Sequence, residues 1–489
     1  MKIVLLNPYY SFTGKTQVYF KASIPYNLLY IQGYLLKHDI VSSVVDIGPF
    51  NENQKTVIGD RTIYGSTFQE IKNMLDLYEP KIVGITTMFT VFHEDYTELA
   101  RFIHRVNPEI RVVCGGNHAS CFPQKMLDGG FDQVVVGEGE QAFLAIANGN
   151  KDPIVEMPML KDLDDVPIPI MEVDFFNLYS GTYNPYIMRH PVMGIITSRG
   201  CPQNCIYCTV NGVWKRRWRG MSPKRVVDEM QVHIQRYGIK EFHFLDDNVS
   251  VDRVRWVGIL DEIIKRKLNI KFATPMAYWT IDEYVLDKMK KAGCYRLSFG
   301  IESGDSETRK FIGKTNSLEC AKRIIKYANK IGLWTITTNI IGFPYETAEQ
   351  IQKTVDFAKE SEADFGCFFN LIPHASSRIY PYYIKEGLIK EGDDLTSVMN
   401  EGGCDTKFFT KDQLKQKQAD AYAQFIKHKI FFYLTHPWSI LRKIHSWEDF
   451  RYVARLAILG FDMFIKTISK KVSSTSKDFI YGKKQYIQS

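Results

Sequence analysis

The chain alternates short β-branched runs with stretches of helical periodicity, and this alternation limits its fold more than any other feature. In residues 1–150 the β-branched runs are KIVLLNP, VSSVVDI, KIVGITT, RVVCGG and DQVVVGEGE. Between them lie stretches such as YNLLYIQGYLLKH and YTELARFIHRVNP, whose apolar residues recur at helical spacing. This series predicts an α/β fold with a five-stranded, doubly wound parallel sheet, and ligands are expected at the carboxyl ends of its strands.

A second alternating series begins near residue 189. Its strands are predicted in MGIITSRG, EFHFLDDN, KFATPMA, RLSFGIES, WTITTNIIGFP and DFGCFFNLIP, and a helical pattern follows each of the first five. Six βα units predict a partial (β/α)6 TIM-type barrel over residues 189–380. The catalytic groups of such a barrel are expected at its carboxyl-terminal rim.

Two segments break the alternation. Residues 151–188 contain the proline-rich, acidic run MPMLKDLDDVPIPIMEVD and are predicted to be a surface linker. Residues 381–489 lose the strand signal and are predicted to form a C-terminal helical domain, an appendix to the barrel. Helical spacing of its apolar residues favours packing on the domain below. The alternative is that these helices cover an active site, or make peripheral contact with a membrane surface near a lipid substrate.

Composition limits the environment of the chain more than its chemistry. The 489 residues are 45% apolar and 24% charged, as expected for a globular protein of two or three domains. The net charge of +7, partly due to SKKVSSTSKDF, favours a solvated face over a membrane or nucleic-acid role. No apolar run reaches the eighteen or so residues of a membrane span, and none near the first residue resembles an export signal. We therefore expect a cytoplasmic protein with reduced thiols.

Three of the nine cysteines lie together as Cys201, Cys205 and Cys208. The other cysteines are scattered and no histidine lies beside the triplet, whereas a zinc site usually has four ligands. Three thiolates at CxxxCxxC spacing suit a cubane iron–sulfur cluster with one iron left open for a substrate or cofactor. A zinc or iron–sulfur module with a regulatory or nucleic-acid role is the alternative, and it requires the barrel prediction to be wrong.

The run WKRRWRG follows the triplet, and interleaved tryptophans and arginines can bind nucleic acid. One run of seven residues is weak evidence for that role. We favour two other roles for this run: its arginines lie near the cluster and balance its negative charge, or they simply face water. No nucleic-acid partner is expected.

CxxxCxxC with the aromatic Tyr207 before its last cysteine, opening a βα barrel, resembles the radical S-adenosylmethionine (SAM) superfamily. The resemblance implies that the three cysteines ligate a 4Fe-4S cluster and that the amino and carboxylate groups of SAM chelate the fourth iron. One electron, from an external donor such as flavodoxin or ferredoxin, then cleaves SAM to methionine and a 5′-deoxyadenosyl radical. It further implies SAM contacts by Tyr207, Asp246, Ser298, Glu302 and Gly342. The alternative for the strand-end residues is a capped strand end with solvated polar groups.

The run CGGNHASCFPQKMLDGGFDQVVVGEGEQAF closely resembles the end of the cobalamin-binding domain of cobalamin-dependent radical enzymes. IPYNLLYIQGYLLKHDIVSSVVDI resembles the first helix and second strand of that domain. This implies a Rossmann-like (flavodoxin-like) cobalamin-binding domain in residues 1–150. The residues expected to contact cobalamin are Thr86, Thr87, Met88, Gly115, Gly116, Asn117, His118, Gly137, Glu138 and Gly139.

Three observations qualify the cobalamin prediction. A lone loop histidine such as His118 is more often a hydrogen-bonding structural residue than a cobalt ligand. The loop TTMFTVF is a candidate to line the lower face of the corrin, with an apolar core as its alternative. Other cobalamin carriers supply a histidine from an Asp-x-His-x-x-Gly motif, but here Asp46 is followed by IGPFNEN. Two alternatives follow. The domain binds cobalamin without an imidazole ligand from this loop, or it has kept its fold and no longer binds the cofactor.

The resemblance implies a cobalamin-dependent (class B) radical SAM methyltransferase. It would methylate an unactivated carbon, or less often phosphorus, of a small-molecule or lipid substrate, using methylcobalamin and the 5′-deoxyadenosyl radical. One alternative is oxidative ring formation or ring contraction on the same architecture. Another is a cobalamin-free dehydrogenase, deoxygenase or epimerase of natural-product biosynthesis. The sequence identifies no catalytic hydrogen donor.

Overall fold

The computed structural model describes residues 2–13, 23–50, 54–180, 184, 186–390 and 403–468, with side chains up to residue 460. These residues form two compact units. The first holds the described parts of 1–182 together with Thr209–Lys215, and the second holds the described parts of 183–208, 216–393 and 401–489. The domain boundaries at residues 150, 188 and 380 stay predictions, and the run SKKVSSTSKDF lies outside the described residues.

The first unit is an α/β unit with two sheets. Its strands are β1 (Ile3–Asn7), β2 (Tyr10–Thr13), β3 (Ser42–Asp46), β4 (Lys55–Ile58), β5 (Arg61–Tyr64), β6 (Ile82–Thr86), β7 (Arg111–Gly115), β8 (Gln133–Val136) and β9 (Ile154–Glu156). Its helices are α1 (Tyr26–Lys37), α2 (Phe68–Tyr78), α3 (His93–Val106), α4 (Asn117–Cys121), α5 (Pro123–Asp128), α6 (Gly139–Ala147), α7 (Val173–Ser180) and α8 (Val210–Trp214).

The large sheet of this unit is parallel, with strand order β3-β1-β6-β7-β8-β9. The order reverses between β1 and β6, and doubly wound sheets bind ligands at the carboxyl ends of the strands beside such a reversal. Apolar clusters cover both faces of the sheet. The predicted doubly wound sheet is therefore confirmed.

The predicted strand count was wrong, because β9 is a sixth strand inside the segment expected to be a linker. It pairs with β8, and Val155 at its centre is buried. Its three residues stand between prolines and give no periodic signal. A three-stranded antiparallel sheet, β2-β5-β4, was also not predicted.

The second unit carries the barrel. Its strands are β10 (Val192–Ile195), β11 (Ser198–Arg199), β12 (Arg219–Gly220), β13 (Glu241–Phe244), β14 (Lys271–Met276), β15 (Cys294–Glu302), β16 (Trp334–Ile341) and β17 (Phe365–Asn370). Its helices are α9 (Pro223–Tyr237), α10 (Arg253–Lys265), α11 (Glu283–Lys291), α12 (Ser306–Phe311), α13 (Leu318–Lys330), α14 (Ala348–Glu360), α15 (Tyr380–Lys385), α16 (Lys411–Thr435), α17 (Trp438–Leu441) and α18 (Trp447–Ile468).

The barrel sheet has the strand order β10-β13-β14-β15-β16-β17, with every pair parallel. Its six strands follow chain order with helices between them, so the predicted partial (β/α)6 barrel is confirmed. Strands β11 and β12 form a short antiparallel pair after β10, in which Ser198 pairs with Gly220. The cysteine triplet follows β11, at the carboxyl-terminal rim.

Side chains alternate between the two faces of the barrel strands. Phe242 and Phe244 are buried on the helix side, where the ring of Phe244 lies 5.3 Å from that of Trp256 in α10. The opposite set faces the inside of the barrel. Strand register places Pro275, Ser298 and Ile336 in one inner row.

Two of the C-terminal helices, α16 and α18, pack on the barrel through buried side chains. The buried residues of α16, including Leu414, Ala421 and Phe425, cluster with Phe368 of β17. Tyr452 of α18 packs edge-on against Tyr295 and Trp334 at the start of β15 and β16. No helix of the described residues meets the length and hydropathy needed to cross a membrane.

Candidate cofactor sites

Main-chain hydrogen bonds help to hold the loop that carries the cysteine triplet. Ile206 N donates to Ile312 O at 3.1 Å, and its own carbonyl accepts from Ile379 N at 2.9 Å. Gly313 has φ +74°, and a Cβ added there would lie 2.9 Å from the Asn204 carbonyl oxygen. Since only glycine tolerates this combination, Gly313 lets the loop pass close to the end of α12.

Cys201, Cys205 and Cys208 are half-buried and free of disulfides. Asn248 Nδ2 lies 3.9 Å from Cys201 Sγ. In the described part of the chain, no three His, Cys, Asp or Glu side chains converge closely enough to bind one metal ion. A cubane cluster places each thiolate on a different iron, so its ligands need not meet at a point. The loop therefore fits a 4Fe-4S cluster better than a zinc ion.

Tyr207, Glu302 and Lys314 come together beside this loop. Lys314 Nζ lies 3.0 Å from Glu302 Oε1, and the two side chains are 6% and 13% exposed. Burial raises the pKa of Tyr207 well above its usual value, and the charges of Glu302, Cys205 and Cys208 add to this effect. The predicted SAM contacts Tyr207 and Glu302 are thus neighbours of the cysteines, and Lys314 is a buried cation that the sequence analysis missed.

The backbone at Glu302 is unusual. Glu302 has φ +69°, and the pairing of β15 with β16 shifts register between Gly300 and Glu302. A Cβ added at Gly300 would lie 2.5 Å from Glu302 Oε1. The carboxylate therefore folds back over Gly300, and this bulge re-aims the side chain at the rim of the barrel.

Asp246 is buried and already has partners. Its Oδ1 accepts from Thr197 Oγ1 at 2.8 Å and from Ser198 Oγ at 2.5 Å. Burial raises its pKa in spite of these bonds. The exposed neighbour Asp247 accepts from Gly200 N at 2.9 Å. The structure thus favours a positioning role for Asp246, holding the chain before the cysteines, while direct SAM contact stays a prediction.

Ser298 and Gly342 occupy different surroundings. Ser298 is half-buried on the inner face of β15. Gly342 N donates to Glu346 Oε2 at 2.8 Å, and Gly342 O accepts from Tyr383 OH at 2.6 Å. Burial raises the pKa of Glu346 to about 8. A Cβ added at Gly342 would lie 3.0 Å from Leu414, so here the close approach is to α16, and adenine contact stays a prediction.

The inner face of the barrel has apolar groups that remain accessible. Leu245, directly after β13, is 50% exposed, and Phe369 in β17 is 38% exposed. Ile340 lies opposite Phe369 in the register. These side chains offer an apolar surface to a substrate, as ligand pockets commonly do.

The carboxyl ends of β6 and β7 are joined by a tight set of bonds in the first unit. Thr87 N donates to Gly115 O at 2.7 Å, and His118 N donates to Thr87 O at 3.0 Å. Gly116 has φ +123°, and a Cβ added there would lie 2.9 Å from Thr87 O. Six predicted cobalamin residues therefore meet at this edge: Thr86, Thr87, Gly115, Gly116, Asn117 and His118.

The surface beside this edge is apolar. Met88 and Phe89 are exposed, at 42% and 54%. At the end of β8, Gly137 has φ +86° and no atom within 4 Å of an added Cβ. An open, apolar sheet edge with glycine backbone is what a flat macrocycle requires, so the residues present fit cobalamin.

His118 is a buried structural histidine. It is 1% exposed, its Nε2 lies 3.0 Å from His93 Nδ1, and its Nδ1 lies 3.2 Å from Thr90 Oγ1. Burial, with the nearby His93, lowers its pKa to about 3. Both ring nitrogens are occupied, which supports the hydrogen-bonding interpretation over cobalt ligation.

The candidates Glu138 and Gly139, and also Asp46, have contacts within the protein. Glu138 is buried and its Oε2 accepts from Leu160 N at 2.7 Å. A Cβ added at Gly139 would lie 2.5 Å from Ile31, so this glycine serves helix packing. Asp46 accepts from Asn7 Nδ2, Gly48 N and Tyr179 OH. For Glu138 and Gly139 cobalamin contact stays a prediction.

Family models match both units. The radical SAM superfamily model matches residues 195–358, and the B12-binding domain model matches residues 23–147. A methyltransferase of Pyrococcus horikoshii is 30% identical over 380 residues, which is 73% of this chain and 81% of that protein. The chain belongs to the cobalamin-binding radical SAM enzymes. The 4Fe-4S cluster, SAM and cobalamin predicted for it are the cofactors of that class.

Two further relatives of this radical SAM enzyme have named reactions. Cytidylyl-2-hydroxyethylphosphonate methyltransferase of Streptomyces wedmorensis is 29% identical over 462 residues, covering 82% of this chain and 85% of that protein. Anaerobic magnesium-protoporphyrin IX monomethyl ester cyclase of Rubrivivax gelatinosus is 26% identical, covering 64% of this chain and 60% of that protein. The methyltransferases support the prediction of a cobalamin-dependent radical SAM methyltransferase, and at this level it is confirmed.

Solved structures agree on the fold. TsrM of Kitasatospora setae, with cobalamin and a 4Fe-4S cluster bound, has a TM-score of 0.62 at 18% identity, covering 79% of this chain and 78% of that one. OxsB, with aqua-cobalamin and SAM bound, has a TM-score of 0.65 at 15% identity, covering 98% of this chain and 74% of that one.

Proposed function

We propose that this radical SAM enzyme methylates an unactivated carbon of a small-molecule substrate, and that the residues gathered at the two strand edges hold its cofactors. The observation that carries the proposal is the presence in one chain of a half-buried cysteine triplet at a barrel rim and of a sheet edge that is open at Gly137 and apolar at Met88 and Phe89. When bound, the cluster and SAM supply the 5′-deoxyadenosyl radical and cobalamin carries the methyl group.

The chain's own residues position these groups. Cys201, Cys205 and Cys208 hold the cluster, and Asp246 fixes the backbone that leads to them. Tyr207 and Glu302 would contact SAM, and Lys314 pairs with the Glu302 carboxylate at 3.0 Å. The apolar inner face at Leu245 and Phe369 binds the substrate and excludes water from the radical.

A label experiment tests methyl transfer. The enzyme, reconstituted anaerobically with iron, sulfide and hydroxocobalamin, receives SAM labelled in its S-methyl group, dithionite as the reductant and a small-molecule cell extract as the source of the methyl acceptor. Gly116→Ala places a Cβ against Thr87 O at positive φ, a strain of about 1–3 kcal/mol. It should therefore retain less cobalt, keep its iron and form little labelled product. Gly460→Ala, where an added Cβ meets nothing within 4 Å, is the control.

The label and the metal content also separate the alternatives. A product that carries no label but has lost hydrogen would indicate oxidative ring formation instead of methyl transfer. The cyclase relative supports that alternative. A full iron content without any cobalt in the wild-type enzyme would contradict the cobalamin role of Gly116 and its neighbours.

The electron donor is proposed to dock beside the cysteine loop. Arg216 and Arg378 are both exposed and each donates to a carbonyl of that loop, Arg216 Nε to Pro202 O and Arg378 Nη2 to Asn204 O. Flavodoxins and ferredoxins are acidic, so cations at this point would attract them toward the cluster. A cytoplasmic location, where such donors occur, stays a prediction.

Charge reversal tests this surface. The variant Arg216→Glu with Arg378→Glu should lower the rate of cluster reduction by flavodoxin at low ionic strength about tenfold. Reduction by dithionite should be unchanged, because a small reductant needs no docking surface. The control variant, Arg323→Glu with Lys326→Glu, makes the same charge change at exposed positions on α13. An equal loss in the control, or slower reduction by dithionite, would refute the docking role.

A further inference from the structure

The C-terminal helices expose a set of large apolar side chains. We call this set the C-terminal apolar face; its members are 46–76% exposed, and they are Phe431, Leu434, Trp438, Leu441, Trp447 and Phe450. They lie on α16, α17 and α18, which follow one another in the chain. Large apolar groups collected in this way on a protein surface generally mark an interaction site.

Buried polar anchors determine which side of these helices faces outward. Tyr433 OH donates to Asp364 Oδ1 at 2.9 Å, and Lys443 Nζ lies 2.8 Å from Asp364 Oδ2. The side chain of Lys443 is 1% exposed. Because these bonds fix the inner side of α16 and of the segment after α17, Phe431 and Leu441 stay on the outer side.

Helix α18 is anchored in the same way. Arg189 pairs with Glu448 at 2.8 Å, and Tyr452 OH donates to Tyr186 O at 3.2 Å. At about 100° per residue, positions 447, 450 and 458 lie opposite position 452. Ile458, 58% exposed, therefore extends the outer apolar side of α18 beyond Trp447 and Phe450. The predicted packing of the apolar residues in this region holds only for the inner side of the helix.

The positive charge of the chain is concentrated in the C-terminal residues, which include these helices. Residues 427–489 contain twelve lysines and arginines against four aspartates and glutamates, a net charge of +8. Since the whole chain carries +7, the remaining 426 residues carry a net charge of −1. Within the described residues, Lys427, Arg442 and Arg451 are exposed next to the apolar face. The only carboxylates among residues 427–460 are Glu448, paired with Arg189, and the buried Asp449.

We propose that the C-terminal apolar face binds the surface of an anionic lipid bilayer. Interfacial helices insert apolar side chains at the headgroup level while cations bind anionic headgroups, and tryptophan is enriched at this depth. The face has two tryptophans, Trp438 and Trp447, and exposed arginines beside them. A second copy of this chain would bring the same positive charge, so self-association through this face is disfavoured.

Vesicle flotation tests the proposal. The full-length enzyme should float with vesicles of phosphatidylglycerol and phosphatidylcholine, and much less with phosphatidylcholine alone. Trp447→Ser with Phe450→Ser should weaken the partition into anionic vesicles about tenfold or more, because two large apolar groups no longer leave water. Arg442→Ser with Arg451→Ser should weaken it too and reduce its dependence on salt.

Matched controls make the result specific. Val254→Ser, in α10 of the same unit, removes another highly exposed apolar side chain and should leave flotation unchanged. Iron content and SAM cleavage should match the wild type in every variant, which shows that the barrel is folded. Flotation that survives Trp447→Ser with Phe450→Ser would overturn the proposal. A wild-type dimer in sedimentation that this variant converts to a monomer would also overturn it, by making the face a contact between copies.

Discussion

Replacing Cys201, Cys205 and Cys208 together by alanine should give a folded enzyme that binds no 4Fe-4S cluster and cleaves no SAM. The proposal makes these three thiolates the cluster ligands, and none of the scattered cysteines lies beside them in the sequence. The loop should keep its fold, because main-chain bonds from Ile206 to Ile312 and Ile379 hold it. Anaerobic reconstitution, iron analysis, the visible spectrum and assay of 5′-deoxyadenosine measure the result.

Cys320→Ala is the matched control, since Cys320 is also half-buried and free but lies in α13. Its iron content and SAM cleavage should equal those of the wild type. Undiminished SAM cleavage by the triple variant would contradict the central role of the loop, and loss in the control as well would point to a general effect on folding.

Replacing Asp364 by alanine should destabilise the second unit by about 3–5 kcal/mol, because it leaves the buried ammonium of Lys443 without its carboxylate. Asp364 also accepts from Thr335 N at 2.7 Å and from Tyr433 OH. One carboxylate therefore joins β16 to two parts of the C-terminal region. Urea unfolding of the apoprotein, followed by tryptophan fluorescence, measures the loss.

Asp261→Ala is the control for this variant. Asp261 pairs with Lys288 but is 53% exposed, and exposed pairs contribute only about 0–1 kcal/mol. Adding Lys443→Met to Asp364→Ala should recover part of the stability, since it removes the unpaired charge. Equal stability of Asp364→Ala and wild type would show that the anchor does not hold the helices.

The barrel could be predicted because each of its strands and helices shows its own periodicity. In EFHFLDDN and RLSFGIES, for instance, residues that face the helices alternate with residues that face the inside of the barrel, as they do in β13 and β15. The cysteine loop could be placed at the rim because it follows the first strand of that series. β9 could not be predicted, since three residues between prolines are too few for a period.

Partners distant in the chain were also beyond sequence reasoning. Lys314 reads as one lysine among many until the structure places it 3.0 Å from Glu302. Asp246 reads as a rim carboxylate available to a ligand, and only the fold brings Thr197 and Ser198 to its oxygens. At the C-terminus, helical spacing predicts that a helix has an apolar side but not whether that side meets protein.

The aromatic contacts of α18 at the start of the barrel strands bear on the side from which SAM enters the barrel and its products leave. Tyr452 lies against Tyr295 and Trp334, and Phe365 lies 5.7 Å from Trp334, so side chains fill this end of the barrel. We therefore expect SAM to enter the barrel, and methionine and 5′-deoxyadenosine to leave it, on the side of the rim. The products must then leave by the route that the next SAM molecule uses before that molecule can bind.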